Sequence, residues 1–281
     1  MRLVKTKQEL MKFRKEMENT RKLIGFVPTM GALHQGHLSL VEEACEQTDS
    51  IFVSIFVNPT QFNDPADLKI YPRNLDKDLE LLSAYSKIDI VFIPGVKEIY
   101  PFPDQRIFDF GYLDKIMEGA YRPGHFNGVA QIVSIFFDLV RPDKVFFGQK
   151  DFQQVVIIRD LIRQLKYNIE LVSCPIIREP DGLAMSSRNQ QLNPEERKHA
   201  ALIYRVLFMA KTKANQMDVN KLKEWITFVL KSDPLIDVEY VEIVDSLNLK
   251  PVNDWKYPGQ KVCCIAVRIG KVRLIDNLLF P

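Results

Sequence analysis

The feature that most constrains this chain is a repeated pairing. A short apolar run is followed by a stretch whose apolar residues recur at helical spacing. "KLIGFVPT" (22–29) reads as a strand, and "SLVEEACEQT" (39–48) then sets Leu40, Val41, Ala44 and Cys45 among acids, as in an amphipathic helix. "SIFVSIFVN" (50–58) is apolar with scarcely a break, which suits a strand covered on both faces. "LDKDLELLSAYS" (75–86) is helical in pattern and "DIVFIPG" (89–95) strand-like. "NGVAQIVSIFFDLV" (127–140) reads as a buried helix despite its β-branched residues. "DKVFFGQKD" (143–151) is a strand running into a turn, "FQQVVIIRDLIRQL" (152–165) a helix, and "IELVSCPIIRE" (169–179) a strand. Strand–helix units in series predict an α/β fold: a Rossmann-like, doubly wound parallel sheet.

Around Asn193 the pattern changes. "NPEERKHAALIYRVLFMAKTKANQM" (193–217) reads as one long helix, with Asn193 as N-cap, Pro194 at the first helical position and Glu195 and Glu196 at the positive dipole end. "VNKLKEWITFVLKS" (219–232) reads as a second helix. "DVEYVEIVD" (237–245), "QKVCCIAVRIG" (260–270) and "KVRLIDNL" (271–278) read as strands. Helices followed by strands indicate a smaller α+β domain. The expected division is 1–182 and 183–281, within the Pro- and Gly-containing stretch from Glu179 to Asn193.

Bulk properties exclude several classes. The 281 residues can bury a sizeable core, and 46% hydrophobic with 26% charged residues is ordinary for a globular chain. Lys and Arg total 38 against 36 Asp and Glu, so the net charge of +2 gives no support for nucleic-acid binding. Cys45, Cys174, Cys263 and Cys264 form no Cys-x-x-Cys pair and are expected as reduced thiols in a cytoplasmic protein. The charged N-terminus "MRLVKTKQELMKFRKEM" is not read as a secretory leader, and no apolar run approaches a membrane span.

The unusual residues follow the expected strands. "PTMGALHQGH" (28–37), "NPTQFNDP" (58–65), "GQKD" (148–151) and "REPDGLAMSSR" (178–188) each sit beyond a strand's carboxyl end, where open α/β sheets bind ligands. They are expected to converge on one crevice. His34 and His37 at i, i+3 share one side of a helix start, and Gly31 and Gly36 leave the backbone open to a ligand. A helix N-terminus with added imidazole donors seats a phosphate. The competing reading is a pair that only caps the helix. A zinc pair lacks further ligands nearby. Lys150 offers a mobile charge for a phosphate, or is a solvated lysine. Ser186, Ser187 and Arg188 offer two hydroxyls and a guanidinium to phosphate oxygens, or form a polar linker. Gln61 and Gln154 can donate and accept in fixing a hydroxylated acid. There is no Walker A loop and no Gly-x-Gly-x-x-Gly. The residues alone point to attack on a nucleotide's α-phosphate, where catalysis is positioning and charge stabilisation.

Together "PTMGALHQGH", "NPTQF", "YPR", "RPGHFNGV", "RPDKVFFGQKD", Gln153–Gln154 and "MSSRN" resemble the pantothenate synthetase (pantoate–β-alanine ligase) family, in order from Gly25 to Asn193. The His-x-Gly-His element alone marks a wider nucleotidyl-transferring superfamily. The resemblance implies that pantoate's carboxylate attacks the α-phosphate of ATP, giving pantoyl adenylate and pyrophosphate. β-Alanine's amine then releases AMP. It makes 1–182 the ATP- and pantoate-binding domain, with 183–281 closing over the site, in a homodimer.

By the same resemblance, His34 and His37 contact the phosphates, with His37 as proton donor, and Lys150 neutralises the α-phosphate region. Ser186, Ser187 and Arg188 hold the triphosphate. Gly148 and Asp151 line the adenosine side and the Ile177 backbone meets adenine. Gly31, Ala32, Leu33, Gln35, Gly36, Gln149 and Met185 complete the ATP contacts. Gln61 and Gln154 grip pantoate, and Met30 and Asn58 complete the pocket. Gln149 departs from the family's frequent glutamate. Asp76 and Asp78 only partly reproduce an acidic cluster, so Mg²⁺ is expected to be held mainly by ATP, with no protein ligand named. The alternatives are another adenylate-forming ligase or nucleotidyltransferase, which need not keep Gln61 with Gln154, and a non-catalytic nucleotide-binding protein, which would have lost the histidines or the lysine.

Overall fold

The computed structural model describes residues 1–18 and 20–280. The chain divides into two compact units, Met1–Gly148 with Ile157–Cys174, and Gln149–Val156 with Pro175–Pro281.

The elements of the first stretch are β1 (Arg2–Val4), α1 (Lys7–Met17), β2 (Ile24–Thr29), α2 (Gln35–Gln47), β3 (Ser50–Ile55), α3 (Pro65–Ile70), α4 (Leu75–Ser83) and β4 (Ile88–Phe92). Then come α5 (Val96–Ile99), α6 (Met117–Tyr121), α7 (His125–Val140), β5 (Lys144–Gly148), α8 (Phe152–Leu165) and β6 (Glu170–Cys174). The six strands form one parallel sheet in the order β1-β4-β3-β2-β5-β6. Sequence order runs outward from β2 in one direction and resumes at β5 in the other. The switch point therefore lies between β2 and β5, beyond whose carboxyl ends a ligand crevice belongs.

The unbroken apolar runs are explained by burial on both sheet faces. Phe26, Phe52, Phe92 and Phe146 on the strands, with Phe137 on α7, are fully buried. Each such side chain contributes about 1.5–3 kcal/mol in hydrophobic transfer. The Phe136 ring packs edge-on against Phe26, Phe56 and Phe92. The charged N-terminus, given no element from its sequence, supplies the edge strand β1 beside β4 and a helix capped by Thr6 and Glu9. β6 stops at Cys174, earlier than the apolar run through Ile177 implied, because Pro175 cannot donate to a ladder.

The second unit carries α9 (Pro194–Lys213), α10 (Val219–Lys231), β7 (Ile236–Asp245), β8 (Lys261–Ile269) and β9 (Val272–Phe280). Its strands form an antiparallel sheet β7-β8-β9, the expected α+β pattern. Asn193 caps α9 as its sequence implies, with Glu196 completing a capping box. Ile203 and Leu207 of α9, Leu222 and Ile226 of α10 and Cys263, Ile265 and Val267 of β8 form its core. This unit begins at Pro175 rather than at 183, and it also takes Gln149–Val156. All four cysteines are free thiols.

Candidate active site

In the first unit, Met30 to His34 connect β2 to α2. Gly31 has φ +79° and Ala32 φ +50°, the left-handed region that glycine enters without a Cβ clash. Asp78 of α4 holds this turn. Its Oδ2 accepts from Ala32 N at 3.0 Å and its Oδ1 from Leu33 N at 2.7 Å. Asp78 is 2% exposed. Burial pushes its pKa up, while the two backbone N–H groups oppose that shift. Both oxygens of the acid considered as part of a metal cluster are thus committed to a loop. Asp76 is exposed in the first turn of α4.

His34 is the N-cap of α2. Its Nδ1 accepts from Gly36 N at 3.1 Å, and His37 Nδ1 accepts from His34 N at 3.4 Å. This is a reciprocal capping box built from two imidazoles, whose ring centroids lie 4.1 Å apart. A ring nitrogen that accepts carries no proton, so each neutral ring holds its hydrogen on Nε2. The cap therefore fixes the tautomer that makes each Nε2 a donor, at a helix end bearing partial positive charge. Capping and anion binding use opposite nitrogens of the same rings, and the two readings of the pair are compatible. Gln35 is exposed and donates to Glu42 of its own helix at 3.2 Å.

Asn58 precedes and Gln61 ends a short 3₁₀ turn, Pro59–Gln61, after β3. Buried Asn58 donates through Nδ2 to Gly128 O at 3.0 Å and to Gln61 Oε1 at 3.2 Å. Its Oδ1 accepts from Tyr100 Oη at 2.9 Å and Thr60 Oγ1 at 3.1 Å. Gln61 donates through Nε2 to Met30 Sδ at 3.1 Å. The first two loop segments are thereby joined. Gly128 permits the approach of α7, since a Cβ there would lie 2.3 Å from Thr60 O. His125 Nδ1 lies 2.8 Å from Gln61 O. Burial raises the Tyr100 pKa, keeping it a hydroxyl donor to Asn58. Tyr100, His125 and Gly128 had no assigned role from the sequence. The quoted "RPGHFNGV" contains the latter two, while nothing in the sequence marks Tyr100.

In the second unit, Gln149–Asp151 form a 3₁₀ turn that leads into α8, whose first turn carries half-buried Gln154. Asn277 of β9 holds this turn: its Nδ2 donates to Gln149 O at 2.9 Å and Lys150 O at 3.0 Å, and its Oδ1 accepts from Gln149 Nε2 at 3.1 Å. The loop after Pro175 is a narrow hairpin, with Arg178 bridged to Ala184 and Met185 N donating to Ile177 O at 2.9 Å. Arg178 lies over the Tyr204 ring at 3.9 Å and forms a fork with Asp276 at 2.7 and 3.0 Å. Burial pushes the Asp276 carboxyl up, and Arg178 opposes it most strongly. Ser186 Oγ accepts from Arg188 N at 3.3 Å and starts the 3₁₀ turn Ser187–Gln191, where Ser187 is buried. Adjacent residues of β9 thus hold both the Gln149–Lys150 turn and the hairpin that precedes Ser186.

Gly148 closes β5, the strand that pairs with β2 and β6 in the first unit. Among the described residues, no three His, Cys, Asp or Glu side chains group as a metal site. No helix of the described residues is long and apolar enough to cross a membrane.

A family model described as pantoate-beta-alanine ligase matches residues 2–279. The chain is 48% identical over 281 residues to a pantothenate synthetase of Phocaeicola vulgatus, covering 100% of this chain and 99% of that protein. It superposes with a TM-score of 0.92 on the crystal structure of pantothenate synthetase from Thermus thermophilus, at 41% identity and 100% coverage of both chains. A pantoate-beta-alanine ligase from Francisella tularensis, crystallised with beta-gamma ATP and beta-alanine, matches at 0.83 and 35% identity, over 99% of this chain and 97% of that one.

Proposed function

Because the chain belongs to the pantoate–β-alanine ligase family, we propose that it joins pantoate to β-alanine at the expense of ATP. The observation that carries this reading is the match across residues 2–279, reinforced by a histidine pair whose tautomer is set for donation. A pantoate carboxylate oxygen attacks the α-phosphorus, and the bond to the β-phosphate oxygen breaks, releasing pyrophosphate. The β-alanine nitrogen then attacks the acyl carbon of pantoyl adenylate. The acyl–oxygen bond breaks, AMP leaves and the amine nitrogen gives up a proton.

His34 and His37 donate hydrogen bonds from Nε2 to phosphate oxygens as charge develops, and His37 can pass on a proton only as the imidazolium, after its Nδ1 has released the His34 N–H and been protonated. Lys150 balances charge at the α-phosphate, and Ser186, Ser187 and Arg188 hold the triphosphate. Gly31, Ala32, Leu33, Gln35, Gly36, Gly148, Gln149, Asp151, Ile177 and Met185 complete the nucleotide contacts. Gln61 and Gln154 hold pantoate, beside Met30 and Asn58. Mg²⁺ travels with ATP and neutralises phosphate charge. Asp78 gives both oxygens to backbone N–H groups, which fits a metal held chiefly by phosphate oxygens. The reading extends to a homodimer in the cytoplasm, and light scattering on the eluted protein checks the dimer.

Pyrophosphate exchange into ATP is expected to require pantoate and not β-alanine, and the complete reaction to yield AMP. Exchange indifferent to pantoate would remove the substrate assignment, and ADP as product would indicate an acyl phosphate instead. Lys150→Ala is expected to slow exchange roughly 100-fold or more, as loss of a preorganised transition-state charge does. A near-wild-type rate would take Lys150 out of the mechanism.

A further inference from the structure

We propose that Asn277, on the last strand of the small sheet, is the positioning residue for Lys150. The inference rests on the ligase reading above and names a support for it. Asn277 is 2% exposed, and its amide spans the carbonyls of Gln149 and Lys150 while receiving the Gln149 side chain. Two carbonyl oxygens face its nitrogen, so only the donor end of the amide can point there. Two consecutive peptide units of the 149–151 turn are thereby pinned, and they fix the direction in which the Lys150 side chain leaves the backbone.

Asn277 is oriented in turn. Its own N–H donates to Asp276 Oδ1 at 2.7 Å, and Asp276 is forked to Arg178. A mobile four-carbon stem on a loose turn would spread the ammonium over many positions, and catalysis through charge stabilisation requires one. Misplacing a group by about 1 Å from a residue that never meets substrate costs about 100-fold. Aspartate at 277 would keep the size and shape but set a carboxylate against two carbonyl oxygens.

Pantoate-dependent pyrophosphate exchange and thermal melts test this on the full chain. The variants are Asn277→Ala, Asn277→Asp, Lys150→Ala and the Asn277→Ala/Lys150→Ala double variant. Both Asn277 variants are expected to lose about 100-fold in kcat, with KM for pantoate within about 2-fold. In the Lys150→Ala background, Asn277→Ala should cost less than about 3-fold more, because it acts through a side chain already removed. Fully multiplicative losses would overturn the proposal, as would a full rate in Asn277→Asp. Asn277 variants that unfold at the assay temperature would overturn it too, making the residue a structural one. If wild type itself shows no pantoate-dependent exchange, the ligase reading fails. If wild type exchanges and the Asn277 variants match it, only the positioning role fails.

Discussion

The two units support their own candidate residues in different ways. In the first unit the histidines largely hold themselves, each ring capping a backbone N–H within three residues. Asp78, 45 and 46 residues away, braces the turn before them. In the second unit the hairpin has its own backbone bonds, Met185 N to Ile177 O among them, and distant side chains are added to these. The Lys150 turn and the hairpin before Ser186 are held by Asp276 and Asn277, separated from them by 98 to 128 residues. A helix N-terminus is a prefabricated anion seat, whereas a turn bearing a lysine must borrow rigidity from elsewhere. The supports in the second unit should therefore be the more costly to remove.

Arg178→Ala is the severest test of that contrast. The Arg178–Asp276 pair is only 16% and 2% exposed at its side chains, and removing one partner of a buried pair costs about 3–5 kcal/mol. Denaturant unfolding should show a loss of this order. A change below about 1 kcal/mol would mean that the hairpin is held by something other than β9.

Asp78→Ala is the counterpart in the first unit. It strips the buried Leu33 N–H and the half-buried Ala32 N–H of their acceptor; an unsatisfied buried donor costs about 1–3 kcal/mol, and the Ala32 N–H can turn to water. Asn at this position keeps one acceptor and should recover part of the loss. If Asp78→Ala proved more damaging than Arg178→Ala, the proposed asymmetry would be reversed.

His34→Asn separates the two uses of one imidazole. Asparagine is among the best N-caps, so stability should change by less than about 0.5 kcal/mol. The Nε2 donor is lost, and pyrophosphate exchange should fall about 10-fold or more, in line with removal of a charge-stabilising donor. An active His34→Asn enzyme would reduce this histidine to a cap.

The same asymmetry governs what could be read from sequence. The parallel sheet was legible because strands buried on both faces leave unbroken apolar runs, as in "SIFVSIFVN". The α9 start was legible because Asn193, Pro194 and Glu196 act within one turn. His34 and His37 were conspicuous for the same reason. Asn277 was not. An amide in "KVRLIDNL" has no local oddity, and its role depends on which distant turn the β9 strand passes. Tyr100, donating to Asn58, was hidden in the same manner. The β1 edge was missed because three residues bounded by charge give no usable period.

The Asp181–Arg197 pair provides the mildest comparison, since it ties the tip of the same hairpin to α9 without burial. Its side chains are 40% and 30% exposed, so solvent screening limits it to about 0.2–1 kcal/mol. The Arg197 guanidinium holds the Asp181 carboxyl below the usual range, more strongly than burial raises it. A depressed folded pKa stabilises above the unfolded value, near pH 3.9, and that contribution is lost as pH falls through the folded pKa. Relative to Asp181→Asn, wild type should hold a small advantage at pH 7 that closes on acidification below about pH 4. Melts of the two proteins across this range check it. A gap that widened with acid, or one rivalling that of Arg178→Ala, would show that exposure is not what separates the two ion pairs of this hairpin.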